Sequence, residues 1–421
     1  MSLLTTHSSL DIAEKTQFDN GIVSVKIHDH YPYTASGLGF NDEIRIGIDQ
    51  RNVYTFPGES CLHITAQVNL ISDHYAFDYN GLCGLFTDAQ LYLNGELIEN
   101  VQNLQLTTNL RSILLRTPDN DLMYKQYGFS TPSKENDPYK DSFHNNKLNF
   151  ALPLHSIFGF FTDFRKPILN ARMELVLKRS NDNSNIFLRH TPYPSVDVTE
   201  YPDFKINTIS WRLPYIQVNE QVRIWYLNSL KNDTALAIPF RQWDVYENPA
   251  VPQTTEFIWN IKLVNTNDKL EFIALFFQTN QKQNYTTSLR IMKNCDVRDV
   301  KAYLDSDYYP YETYNTKFGE NNYSLLYEDF IKFEPTYNKF YRPNWFPIPI
   351  FDKKTFKDDY PIFIINLKYR EQTIKKGGVS ALKLTVTTNT PIPANTSAYA
   401  ALIYDKQYTY KPLSEEVQRI F

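Results

Sequence analysis

Cysteine is scarce: Cys61, Cys83 and Cys295 are the only three in 421 residues. An odd number so scattered excludes a disulfide framework or a cysteine-rich zinc site and fits a reducing compartment. Glycine is thin too, 13 residues or roughly half the ~7% of ordinary chains. Phosphate-cradling loops therefore have little to be built from: Gly37-Leu38-Gly39 lacks a third glycine and a following helix, and Gly377-Gly378 reads as a turn. Long apolar runs are missing, the densest (272–277) being far below the ~18 residues that cross a bilayer. Residues 1–19 are polar without an apolar signal core, so neither export by the classical route nor a membrane span is expected. No sign of charge dominates, with 43 Lys+Arg against 47 Asp+Glu. The first thirty residues set Lys15 and Lys26 against Asp11, Glu14, Asp19 and Asp29, so there is no basic arm to condense a nucleic acid, and strong sequence-specific binding to one is not expected.

What the chain does have is aromatic bulk: 28 Phe, 30 Tyr and 5 Trp, 15% of all residues. The length favours two domains of about 200 residues. Apolar residues alternate with period two at Ile44, Ile46, Ile48, at Leu62, Ile64, Ala66, Val68, Leu70, and at Met173, Leu175, Leu177. The same habit returns at 258–264, 270–277, 381–387 and 399–404, so the class is mostly β with half-buried antiparallel strands. Asn94-Gly95 and Asn265-Thr266-Asn267-Asp268 are expected hairpin turns. One segment departs from the pattern: Asn219 can cap a helix whose Val222, Trp225, Tyr226 and Leu230 form an apolar stripe, either a connector lying against the arrays on both sides or a helix inserted in one jelly-roll loop. The tails, residues 1–20 and 406–421, fall outside the strand pattern, so they either fray or order only against a partner.

Internal matches run in one order through the chain. Val68-Asn69 pairs with Val264-Asn265, Leu152-Pro153-Leu154 with Ile348-Pro349-Ile350, Asp163 with Asp359 and Pro167-Ile168 with Pro361-Ile362, at offsets near 196; Tyr92-Leu93-Asn94 pairs with Tyr303-Leu304-Asp305 at 211. Two copies of one β unit are expected, residues 1–218 with a short N-terminal arm and 219–421 with the linker helix and a tail.

Chemistry is hard to place. His28-Asp29-His30 offers two metal ligands on one face and no third, and reads as a solvated loop. No serine stands in a nucleophile elbow, Cys83 and Cys295 read as core residues, and Asp305 with Asp307 or Glu415 with Glu416 are pairs any acidic chain supplies. Lys353-Lys354 and Lys375-Lys376 read as solvated loop tips. No catalytic, cofactor-binding or metal residue is nominated, and no enzyme is expected. A different class remains open: a carbohydrate-binding or carbohydrate-cleaving β-sandwich, with Trp211, Trp243, Trp259 and Trp345 as sugar platforms, against which their apolar neighbours argue for core positions.

Five segments carry a resemblance: Ser210-Trp211-Arg212-Leu213-Pro214-Tyr215, Pro239-Phe240-Arg241-Gln242-Trp243-Asp244-Val245-Tyr246, Phe276-Phe277-Gln278-Thr279, Pro393-Ala394-Asn395-Thr396-Ser397-Ala398-Tyr399 and Tyr410-Lys411-Pro412-Leu413. They resemble the double jelly-roll major capsid proteins of Polinton (Maverick) elements and adintoviruses, over about residues 200–421 directly and over the first half by pattern. The resemblance implies two tandem eight-stranded jelly rolls with a short connecting helix, and a homotrimeric, pseudo-hexameric capsomer of an icosahedral shell around double-stranded DNA. It further implies a virion location and, as partners, copies of itself plus a penton or minor capsid protein.

Overall fold

A computed structural model describes residues 21–34, 38–49, 53–69, 75–78, 81–129, 143–189, 202–231, 233–263, 268–280, 287–304, 307–338, 349–368 and 381–420. Its strands in the first half are β1 (Ile22–His30), β2 (Glu43–Ile48), β3 (Tyr54–Thr55), β4 (Cys61–Asn69), β5 (Tyr75–Phe77), β6 (Phe86–Leu93), β7 (Glu96–Val101), β8 (Phe143–His144), β9 (Lys147–Pro153), β10 (Ile168–Leu169), β11 (Met173–Arg179), β12 (Phe187–Arg189) and β13 (Asp203–Val218). The second half holds β14 (Leu236–Asn248), β15 (Glu256–Lys262), β16 (Lys269–Thr279), β17 (Val297–Leu304), β18 (Asp307–Tyr309), β19 (Phe363–Asn366), β20 (Ala381–Thr388), β21 (Thr396–Lys411) and β22 (Glu416–Ile420). Among the described residues six α-helices accompany them: α1 (Leu104–Leu114), α2 (Asp121–Gln126), α3 (Gly159–Asp163), α4 (Glu220–Leu230), α5 (Ser324–Tyr337) and α6 (Lys353–Asp359).

Sheet order shows the doubling. In the first half β1 lies beside β13, which continues through β4 to β9, while a second sheet runs β2-β11-β6-β7. In the second half the orders are β14-β21-β16-β19 and β15-β20-β17-β18. Taken in chain order the two sets are the same eight-stranded jelly roll, strand for strand: β1 corresponds to β14, β7 to β18 and β13 to β21. All pairings are antiparallel, and alternation sets the faces: in β4 Leu62, Ile64, Ala66 and Val68 are buried while the residues between them are less so.

This topology corrects the repeat offsets. Val68 lies in β4, whose counterpart is β16, whereas Val264 falls outside the described residues after β15. Asp163 ends α3, which follows β9, whereas Asp359 ends α6, which precedes the equivalent β19. Only the match at offset 211 sits on equivalent backbone, Tyr92-Leu93 closing β6 and Tyr303-Leu304 closing β17. From the β1 and β14 pair to the β11 and β20 pair, equivalent strands start 208 to 216 residues apart, so matches spaced near 196 fall short of the equivalent backbone.

The Asn94-Gly95 hairpin forms as expected, both residues having positive φ (50° and 87°); Asn265 to Asn267 lie outside the described residues. Residues 406–420, expected to be a loose tail, instead complete β21 and form β22, paired to it from Gln407 to Lys411. Asn94 Nδ2 holds the Glu415 carbonyl at 2.9 Å and the Tyr410 hydroxyl donates to the Leu169 carbonyl at 2.6 Å. Residues 1–20 lie outside the description.

The single-helix expectation fails for a physical reason. Helix α1 (Leu-Gln-Leu-Thr-Thr-Asn-Leu-Arg-Ser-Ile-Leu) carries Leu106, Leu110, Ile113 and Leu114 at helical spacing, but it is buried on nearly every side, so the polar residues opposite that stripe, which suggest a loop, face protein instead of solvent. In α4 the cap is as read, Asn219 Oδ1 accepting from the Val222 N–H at 2.8 Å, and Leu230 is buried. The stripe is not: Tyr226 packs on Tyr54 with ring centroids 5.5 Å apart, while Trp225 is 63% exposed.

Candidate assembly interface

Two cores organise the molecule, each centred on a tryptophan with no exposed surface, Trp211 in the first and Trp243 in the second. The cores exchange residues. Leu110, Ile113 and Leu114 of α1 belong to the second core, while Ile238, Phe240, Tyr408 and Tyr410, from the outer face of β14 and β21, belong to the first. Along β14 alternation produces this split: Phe240 turns toward Phe160 of α3 (centroids 5.9 Å), and Trp243 turns inward, its Nε1–H donating to the Tyr337 hydroxyl at 3.0 Å.

Polar groups fix the register of this seam. Asp163 at the end of α3 accepts from the Arg241 backbone N–H and from Arg241 Nε, both at 2.9 Å, and pairs with the guanidinium NH2 as well. Arg241 also donates to the Tyr337 carbonyl, tying α5 to the same point. Glu99 of β7, fully buried, accepts the Gly159 N–H at 2.7 Å and the Phe160 N–H at 2.9 Å. Burial pushes its carboxyl up to about 7, with those N–H groups, Arg111 and Lys406 pulling the other way. Gly159 is where backbones meet: a Cβ there would lie 1.7 Å from the Arg241 carbonyl oxygen. Behind the seam, the buried Asp268 carboxylate pairs with Arg419 at 2.5 Å, and Lys406 donates to Gln242 Oε1 at 2.6 Å.

Apolar groups also reach solvent, and they cluster. On β1, Val25 and Ile27 are 55% and 59% exposed; they stand opposite Ile216 and Pro214 of β13 and so share its outer face. Ile216 in turn pairs with Tyr54, whose ring meets Tyr226, which touches Trp225 (centroids 5.0 Å), so one apolar track runs from β1 to α4. A second cluster lies on the edge formed by β17 and β18: Tyr303 and Tyr308 (centroids 5.9 Å) and Tyr311, 5.6 Å from Tyr308 and 66% exposed.

The residues weighed for chemistry fall elsewhere. His28 and His30 are in β1, not a loop, and share one face as alternation requires; His28 stacks on Tyr215 (4.4 Å) and His30 Nε2 lies 2.9 Å from the Tyr215 hydroxyl. Desolvation by burial, then the neighbouring His28, lowers the His30 pKa, against the pull of Asp29. Among the described residues no three His, Cys, Asp or Glu come together as a metal site. No helix among them is long and apolar enough to cross a membrane. Cys83 and Cys295 are buried. Lys353 and Lys354 open α6 rather than a loop tip, Lys353 Nζ donating to Ser324 Oγ at 2.7 Å. Of the sugar-platform tryptophans, Trp211 and Trp243 are wholly buried, which removes them as stacking surfaces, while Trp259 is partly buried against the second core; Trp345 lies outside the described residues.

Sequence reading missed the seam. Asp163 drew notice only as a repeat mark, and Arg241 only within the Pro239–Tyr246 motif; no local signal says that a strand of one half will meet a helix of the other. Glu99 is one of two glutamates in β7, and nothing in Glu-Leu-Ile-Glu-Asn-Val separates it from the exposed Glu96.

The fold matches solved virus structures along its whole length. It superimposes on the Sputnik virophage structure determined by cryo-EM with a TM-score of 0.65, 10% identity, and coverage of 100% of this chain and 93% of that one. A chain of the PBCV-1 virus capsid gives 0.60 with 12% identity, covering 97% and 99%. The mavirus major capsid protein gives 0.57 with 11% identity, covering 100% and 96%. No curated protein matches the chain by sequence. A family profile described as double jelly roll-like domain matches residues 76–407, and with both jelly rolls traced strand for strand, this chain belongs to the double jelly roll-like family.

Proposed function

We propose that the protein is a structural major capsid protein of an icosahedral double-stranded DNA virus or virus-like element, working as a homotrimeric, pseudo-hexameric capsomer and located in the virion. The observation that carries the reading is the doubled jelly roll locked across a polar and aromatic seam: three such chains place six near-equivalent β blocks in a ring, so a three-fold assembly can occupy a six-fold lattice position. The likeness to chains from virophage and virus capsids supports the same role. In this reading the chain divides at residues 218 and 219 into two building units, its task is geometric rather than catalytic, and its partners are copies of itself, with a penton or minor capsid protein at other lattice positions.

Light scattering on the purified chain is the test. A mass three times 49.4 kDa, about 148 kDa, with ring-shaped particles or shells in negative stain, is the expected result. A monomer at all concentrations that never forms shells overturns the proposal.

A further inference from the structure

We propose that His28 and His30 of β1, held in place by Tyr215 of β13, form a chelating site for a divalent d-block cation, copper or nickel before zinc. The site is independent of the capsomer reading and asks nothing of a second copy.

Strand geometry supplies the pair. Period two puts His28 and His30 on one face of β1, and two residues of rise set their α-carbons about 6.7 Å apart, a separation that two imidazoles close by leaning onto one ion at about 2.0–2.1 Å from each nitrogen. His28 is exposed and His30 half-buried, so an ion reaches both from solvent.

The neighbouring strand supplies what holds them. The Tyr215 ring, 7% exposed and fixed in the first core, stacks on His28 with centroids 4.4 Å apart and lies 5.8 Å from His30, and its hydroxyl meets His30 Nε2 at 2.9 Å. That bond engages one nitrogen of His30 and leaves Nδ1. Neither Nδ1 nor either nitrogen of His28 has a hydrogen-bond partner among the described residues. A polar group that takes the far nitrogen of an imidazole and fixes its ring plane is what a metal-binding histidine ordinarily has behind it.

The donor set decides the ion. Two imidazole nitrogens side by side, with water filling the other positions, make half of a tetragonal plane, the arrangement of copper and nickel. Calcium and magnesium need oxygen ligands, and structural zinc four protein donors, neither of which two histidines provide. Nearby charge gives no help. Asp29 turns to the other face and pairs with Arg212 at 2.9 Å, while the exposed Lys26 stands on the histidine face two residues before His28 and repels a cation. The nitrogen bonds therefore carry the affinity.

Isothermal titration of the full chain with nickel chloride is the test, with saturable binding of one ion at this site expected. His28→Ala and His30→Ala each remove that binding, whereas His63→Ala, on β4, keeps it. Lys26→Glu strengthens it, and copper binds more tightly than nickel or zinc. Tyr215→Phe keeps the stacked ring and removes the hydroxyl, so nickel affinity falls about tenfold. Electron paramagnetic resonance of the copper form counts two imidazole nitrogens in the parent and still two in Tyr215→Phe, which makes the tyrosine a positioning residue rather than a ligand. Circular dichroism and urea midpoints equal to the parent's show that lost binding is not lost fold; should His30→Ala unfold, His30→Gln reads the same position. A parent that takes up no nickel saturably, binding that survives both histidine variants, or a copper signal with a single nitrogen overturns the proposal and leaves the capsid reading standing.

Discussion

Gly159 tests the seam most directly. Replacing it with alanine adds one atom, and that atom would sit 1.7 Å from the Arg241 carbonyl oxygen, 2.8 Å from its carbon and 3.4 Å from Glu99 Oε1. Ordinary contact begins near 3.4 Å, so α3 and β14 must separate by about 1.7 Å, and neither side can relieve the clash by rotating a side chain because both are backbone. Separation would strain the Asp163–Arg241 bonds and the two N–H bonds to Glu99 together. Overpacking of this kind costs about 3 kcal/mol, the upper part of its usual range, because several hydrogen bonds share the displacement. Urea denaturation monitored by tryptophan fluorescence measures it, since Trp243 lies two residues from the clash. Gly319→Ala is the internal control: nothing lies within 4 Å of its added carbon, so its cost stays within about 0.5 kcal/mol. A Gly159→Ala variant as stable as Gly319→Ala would refute the claim that the halves meet backbone to backbone.

Three further outcomes follow from the same region. Folded Glu99 keeps its proton up to about pH 7, whereas an unfolded glutamate loses it near 4.5, so the native state binds more protons between these values and stability falls as pH rises through that window, by about 3 kcal/mol, then levels off above it. Glu99→Gln should flatten that slope in urea midpoints taken from pH 4.5 to 8, and an unchanged slope would assign the titration elsewhere. Asp163→Asn leaves the Arg241 guanidinium, in a side chain only 13% exposed, without its carboxylate and should cost about 3 kcal/mol by the same assay, whereas a cost below about 1 would mark the pair as solvent-screened. Asn219→Ala removes the cap of α4 for about 1 kcal/mol; because α4 carries part of the apolar track, trimer dissociation on dilution should shift with it, and a shift in neither reading would separate the helix from both stability and assembly.

Much of the fold was legible because strand alternation is local. Ile44, Ile46 and Ile48 alternate in the chain and are all buried in β2, and the Asn94-Gly95 turn is set by two residues that tolerate positive φ. The doubling was legible as an idea, though a match spaced near 196, such as Asp163 with Asp359, misses equivalent backbone because equivalent strands start more than 200 residues apart over most of the chain. Helix α1 was harder to read: Leu106, Leu110, Ile113 and Leu114 stand at helical spacing, but Thr107, Thr108, Asn109 and Ser112 between them are residues common in loops and are buried only because of what packs around them.

By itself, then, the sequence determined the β class, the antiparallel strands and the Asn219 cap, all of which rest on neighbours a few residues apart. Only the tertiary structure decided that Arg241 meets Asp163, 78 residues away, that Glu99 receives the start of α3, that Trp225 faces solvent while Trp211 and Trp243 do not, and that Val25 and Tyr308 are left uncovered. These depend on which faces two sandwiches turn toward each other, and that choice is made by packing over long loops, where the local pattern of a strand says which side is apolar but not what covers it.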